Sequence, residues 1–122
     1  MDFIQYQDLD VWKKGEELVA NIYVQTRKFP KTEIFGLTQQ IRRASVSIIS
    51  NIAEGCGRNH TKDKLQFYYI ARGSLFEVEA QAIIAIKLGY LSEMEFALIL
   101  KQCIGCRKLL NGFISYHKRK LE

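Results

Sequence analysis

The stretch RRASVSIISNIAEGCGRN, residues 42–59, decides how this chain is read. Two arginines, three serines, an asparagine and a glutamate are threaded among Val46, Ile48, Ile49 and Ile52 before the run ends in glycines. At about 100° per residue, Gln40, Arg43, Ser47, Asn51 and Glu54 fall within an arc of roughly 80° on a helix. They form a polar stripe. Leu37, Ile41, Ala44, Ile48 and Ile52 lie beside it, while Val46, Ile49 and Ala53 point another way. A helix with apolar residues on more than one side is buried on several faces, so it needs other helices around it.

Working outward, DLDVWKKGEELVANIYVQTRKF has a candidate N-cap at Asp8 and helically spaced Val11, Trp12, Leu18, Val19, Ile22 and Tyr23. Pro30 breaks that pattern, and Thr32 is the expected cap of a second helix running from Glu33 to about Gly55. GRNHTK is a polar connector. Thr61 is the expected cap of a third helix through about Leu88, with Leu65, Tyr68, Tyr69, Phe76, Ile83 and Ile86 on its core face. Ser92 followed by Glu95 forms a capping box for a fourth, with Phe96, Ile99, Leu100, Cys103, Cys106, Leu110, Phe113 and Ile114 inward. Strand alternation is absent. Short links between long helices favour antiparallel neighbours, so the fold class is all-α, an antiparallel up-and-down four-helix bundle.

The bulk numbers agree. A chain of 122 residues that is 48% hydrophobic can build one core, so residues 1–122 are read as a single domain. A charged fraction of 25% and a single proline argue against disorder. No apolar run is long enough for a membrane span, and the acidic start MDFIQYQDLD lacks the features of a secretion signal, so a soluble, cytoplasmic protein is expected. Three cysteines do not make a secreted disulfide framework. The net charge of +5 and pI near 9.2 permit attraction to nucleic acid without specifying it.

Two features stand outside a plain monomeric bundle. Arg72 and Glu79 project from the expected core face of helix three, and a charge in such a place needs a partner. Hydrogen bonds or ion pairs are therefore expected to join Gln40, Arg43, Ser47, Asn51 and Glu54 with Arg72 and Glu79. A ligand pocket is the alternative use of the stripe. The structural network is preferred because no nucleophile, base and orienting group stand at a recognisable spacing. Apolar residues also lie away from the first core: Leu98, Leu109 and Tyr116 beside Gly105 and Gly112, and Phe67, Ile70, Ser74, Val78 and Ile84 on helix three. Phe67, Ile70, Val78, Leu98, Leu109 and Tyr116 are the candidate subunit contacts, and Gly73 a candidate point of close helix approach.

The segments DLDVWKKGEEL, FPKTEIFGLTQQIRRASVSIISNIAEGCGR, FYYIARGSLFEVEAQ and LGYLS, taken together, resemble the four-helix-bundle family first associated with reading frames inside intervening sequences of bacterial 23S ribosomal RNA. The likeness spans almost the whole chain. It implies a bundle that assembles as a ring-like homopentamer with no established enzymatic activity. It also implies similarity to the accessory protein of diversity-generating retroelements, a basic pentameric bundle that binds a reverse transcriptase and nucleic acid. Cys56 departs from the larger apolar residue usual at that position, and Gly15 from the usual alanine.

Candidate phosphate contacts are Lys13, Lys14, Arg27, Lys28, Lys31, Arg58, Lys62, Lys64, Lys118, Arg119 and Lys120. RNHTKDK and HKRK concentrate this charge at a connector and at the final helix's end, which are read as lying at opposite ends of the bundle. Tyr6, Trp12 and Tyr116 are candidate stacking residues, although helical aromatics more often fill cores. His60 and His117 have no local ligand pattern and are assigned capping or surface roles. CIGC, Cys103 to Cys106, is half a metal motif with no second pair, so it reads as buried cysteine rather than zinc or redox chemistry. Glu77 and Glu79 are two apart on a helix and point in different directions. No catalytic residue, metal or cofactor is assigned. The function expected is a non-enzymatic, pentameric basic bundle that binds structured RNA, DNA or a nucleic-acid-protein complex. The alternative is a protein-interaction scaffold or accessory subunit for a nucleic-acid-processing enzyme such as a reverse transcriptase. No membrane partner is expected.

Overall fold

A computed structural model describes residues 5–121. Four helices carry the fold: α1 (Asp10–Thr26), α2 (Leu37–Cys56), α3 (Thr61–Lys87) and α4 (Glu93–Arg119). One-turn 3-10 helices, Tyr6–Asp8 and Lys31–Glu33, precede α1 and α2.

Helix ends follow local chemistry, not always at the expected residue. Ser92 Oγ accepts from Glu95 N–H at 3.1 Å while Glu95 Oε1 accepts from Ser92 N–H at 2.8 Å, the capping box expected for α4. Asp8 falls in the 3-10 turn, so Leu9 occupies the α1 N-cap. His60, not Thr61, is the N-cap of α3, without a side-chain bond. Helix two begins later than Glu33 because residues 31–33 close into a 3-10 turn on the Pro30 carbonyl. Glu33 then reaches forward, its Oε1 accepting from Leu37 N–H at 3.3 Å and Oε2 from Tyr90 Oη–H at 2.9 Å. That second bond ties the α1–α2 connector to the α3–α4 turn and raises the Tyr90 phenol above its ordinary pKa. At the end of α3, Gly89 has φ +80°, with Gly89 N–H on Ile86 O and Tyr90 N–H on Ala85 O. This Schellman pair needs the left-handed residue that glycine supplies.

Each helix packs on its neighbours in sequence, and α4 closes on α1. The packing is antiparallel: Arg72 of α3 meets Asn111 of α4, while Glu79, two turns later on α3, meets Arg107, one turn earlier on α4. Leu18, Ile22, Ile41, Ile48, Ile52, Tyr68, Leu75, Cys103, Cys106 and Leu110 are fully buried. Burying each large aliphatic side chain contributes about 1.5–3 kcal/mol relative to leaving it in water.

The third helix is rotated from its expected setting. Its inward face is Leu65, Tyr68, Ala71, Leu75, Val78, Ala82 and Ala85. Phe76, at 51% exposure, and Ile83, at 42%, face outward instead. Val78 lies in the core at 0% and is not available as a subunit contact. The physical reason is size: alanines let α3 pack closely against its neighbours, and apolar residues ring the helix so fully that periodicity alone does not select the buried side. Tyr23 is likewise exposed on α1. Among the described residues, no helix is long and apolar enough to cross a membrane.

Candidate nucleic-acid interface

Tyr68 brings three elements together at one end of the bundle. Its ring lies 4.8 Å from Phe113 and 5.1 Å from His117 of α4, and its hydroxyl donates to Cys56 Sγ at 3.6 Å. Gly55 makes room for this ring, since a Cβ there would sit 2.4 Å from Tyr68 Cε1. Lys64 donates to the carbonyls of Gly55, at 3.4 Å, and Cys56, at 3.1 Å, neutralising the carbonyl end of α2. The α2–α3 connector and the α4 terminus therefore share one end of the bundle, contrary to the reading that separates them. Counting turns gives the same answer, because α2 runs down, α3 up and α4 down again.

That end gathers Arg58, Lys62, Lys64, Lys118, Arg119 and Lys120. Lys64 is half-buried and occupied with carbonyls, whereas Lys62, Lys118 and Arg119 are exposed. Arg58 binds Glu54 at 2.7 Å and covers the Phe67 ring at 4.7 Å, so Phe67 is half-buried beneath its own chain's guanidinium. Lys120 Nζ lies 4.5 Å from the Tyr116 ring centroid. The remaining candidates are elsewhere: Lys13 is exposed on α1, Lys14 meets Glu17 at 3.5 Å, and Arg27, Lys28 and Lys31 lie at the opposite end, where Lys28 pairs with Glu95. Trp12 is half-buried against the core with Tyr6 at its edge, 5.4 Å between centroids, and 49% of Tyr116 is exposed.

His117 is not a surface residue. It is buried at 8% exposure, its Nδ1 is 2.9 Å from the Phe113 carbonyl, and Tyr68, Phe113 and Tyr116 surround the ring. Burial lowers its pKa from 6.5, and the positive charges of Lys120 and Lys64 act in the same direction. The neutral ring therefore donates Nδ1–H to the carbonyl. Cys103 and Cys106 are fully buried in the core, where desolvation pushes the thiols up to about 12 and about 11. They remain protonated and unreactive.

The expected network splits into local pieces. Ser47 and Ser74 hydroxyls meet at 2.9 Å across α2 and α3, and Asn51 donates to Ser47 Oγ and its carbonyl. Glu54 turns to Arg58, Arg72 donates to Asn111 at 3.2 Å and stacks on Tyr69, and Glu79 binds Arg107. Gln40, Arg43, Ser47, Ser74, Glu77 and Gln81 line an open polar cleft of about 390 Å³. The single network fails because rotation of α3 turns Arg72 and Glu79 toward α4, away from α2. Arg107 supplies the charge partner that a pattern within helices two and three does not contain.

Ile70 at 51%, Leu98 at 47%, Leu109 at 37% and Tyr116 remain exposed, joined by Phe76, Ile83 and Ile84. Leu98 with Gly105, and Leu109 and Tyr116 with Gly112, line shallow grooves between α1 and α4. Gly73 has open space around it and serves no close approach within the chain.

A family model for the 23S rRNA-intervening sequence protein matches residues 7–112. The chain belongs to that family. The match takes in all of the first three helices and most of α4, and so includes the polar stripe and the α2–α3 connector, while Lys118, Arg119 and Lys120 lie beyond it. The bundle of this 23S rRNA-intervening sequence family member is similar to the crystal structure of a protein of unknown function from the S23 ribosomal protein family of Bacteroides thetaiotaomicron. That pair has a TM-score of 0.78 at 24% identity, covering 85% of this chain and 97% of the other. The likeness at that identity is one of fold. No curated protein matches the chain.

Proposed function

We propose that this chain is a non-enzymatic bundle that assembles with copies of itself, as a pentamer, and uses a basic end to bind structured RNA or a nucleic-acid-protein complex in the cytoplasm. The observation that carries the reading is the convergence of Arg58, Lys62, Lys118, Arg119 and Lys120 on one end, through the packing of Tyr68 on Phe113 and His117. Clustered cations release counterions together when they meet phosphates, and assembly multiplies contacts that are individually weak. The exposed Ile70, Phe76, Ile84 and Leu98 support self-association, because apolar side chains spread along two helices gain from being covered.

The test is a titration of nucleic-acid-free protein against a labelled RNA hairpin from low to near-physiological salt. Affinity is expected to fall steeply with salt, and Lys62→Glu with Arg119→Glu to weaken binding and flatten that dependence. Absence of binding even at low salt overturns the reading, and the search then moves to a scaffold role beside a nucleic-acid enzyme.

A further inference from the structure

The opposite end of the bundle holds a smaller feature built around Arg42, a residue outside the basic candidates read from the sequence. Thr26 Oγ–H donates to the Ile22 carbonyl at 2.7 Å, which leaves its lone pair to accept Arg42 Nε–H at 2.7 Å. The guanidinium also covers the Tyr23 ring at 4.8 Å. Arg42 is half-buried and held from two sides, yet no carboxylate pairs with it among the described residues. A fixed, partly desolvated guanidinium gains most from a planar or tetrahedral oxyanion.

The surroundings add charge of the same sign. Thr26, Arg27, Lys31, Ile34, Thr38 and Arg42 line a cavity of about 120 Å³ with no acidic residue in its wall. The nearby carboxylates are engaged elsewhere: Glu33 with Leu37 N–H and Tyr90, Glu95 with Lys28. Directly after Ile34, Phe35 stands 87% exposed in the connector, the most exposed of the large apolar side chains among the described residues. A phenyl ring left in water, next in the chain to a wall residue of this cationic cavity, matches the two needs of an unpaired nucleotide, a charged backbone and a base face.

We infer that the α1–α2 connector is a second nucleic-acid contact, in which Arg27, Lys31 and Arg42 hold one backbone phosphate and Phe35 stacks on an adjacent unpaired base. The inference rests on the nucleic-acid reading above and adds to it a preference for unpaired loops over continuous duplex.

The experiment compares an RNA hairpin carrying a uridine loop with a blunt duplex of the same stem, using the unaltered full chain, Phe35→Ala, and Arg27→Gln with Lys31→Gln. All altered side chains are exposed, and circular dichroism verifies the fold. Phe35→Ala is expected to weaken hairpin binding about tenfold, the value of one stacked base, and to leave the duplex unchanged. The double variant is expected to weaken the hairpin and lower its salt slope by about 0.7, the effect of one phosphate contact on a single strand. Unaltered affinity in these variants, with loss in Lys62→Glu and Arg119→Glu, overturns this site while the basic-end reading stands. Failure of the unaltered chain to bind either RNA overturns both. A shift of the Arg42 Nε–H resonance on adding inorganic phosphate, without RNA binding, reassigns the cavity to small oxyanions and also overturns the nucleotide assignment.

Discussion

Arg107 places one Nη atom 2.6 Å from both carboxylate oxygens of Glu79, joining the middle of α4 to α3. The pair is mostly screened from water, with side-chain exposures of 26% and 13%, and the guanidinium rests 5.1 Å from the Phe76 ring. Removing one partner strands the other. Glu79→Gln is expected to lower unfolding free energy by about 2 kcal/mol, the range for hydrogen bonds to charged groups. Denaturant unfolding of the single variants and of the double variant with Arg107→Met measures it. The double variant should recover part of the loss, since it leaves no unpaired charge.

Glycines in this chain divide by what faces them. At Gly55 an added Cβ would meet Tyr68 and the Lys64 carbonyl, and at Gly15 it would meet Ile49 Cγ2 at 2.6 Å. Gly55→Ala is expected to destabilise by about 1–3 kcal/mol, the cost of overpacking a filled core. Gly73, Gly105 and Gly112 face open space, so alanine there should stabilise the folded chain by about 0.5–1 kcal/mol through helix propensity. Thermal melts of the two groups should move in opposite directions. Melts that move together would show that close approach does not distinguish these positions.

Sequence patterning read the helices well because each carries a long 3.6-residue period, with breaks at Pro30, Gly57 and Gly89. It read the buried side of α3 poorly, since Phe76 and Ile83 fit a stripe as well as Leu75 and Ala82 do. Only the partners' shapes decide between them, and alanine wins where helices come close. The polar network failed for a related reason: Arg107, the partner of Glu79, lies 28 residues away, and no local spacing announces it. Most of the basic residues were legible as charge, but their convergence depended on following the chain's direction through each turn. Arg42 and Phe35 carried weaker signals still. An arginine inside a mixed helix reads as part of a solvated face, and a lone phenylalanine before Gly36 reads as core.

His117 gives the folded state a pH dependence whose sign follows from burial. Its pKa is lowered from 6.5, so the unfolded chain takes up a proton before the folded one as pH falls. Unfolded molecules then bind more protons, and stability declines as pH drops below 6.5 toward the folded pKa. The neutral ring's stabilisation is fully present above 6.5. Denaturation midpoints measured from pH 7.5 to about 5 should fall, and His117→Leu should flatten that part of the curve. A slope unchanged by the substitution would assign the proton uptake to other groups.

Self-association has its own structural test on α3. Ile84 is 48% exposed and Ile70 51%, so a charge at either position meets water in the isolated chain and costs little. In an assembled ring that covers this face, the same charge would be buried opposite an apolar neighbour and would cost several kcal/mol. Ile84→Glu is therefore expected to leave circular dichroism unchanged while shifting the sedimentation coefficient from oligomer to single chain. Val78→Glu is the contrast: at 0% exposure it should unfold the bundle itself. An Ile84→Glu protein that still sediments as an oligomer would move the subunit contact off this face, toward the Leu98, Leu109 and Tyr116 side of α4, where Leu98→Glu makes the equivalent test.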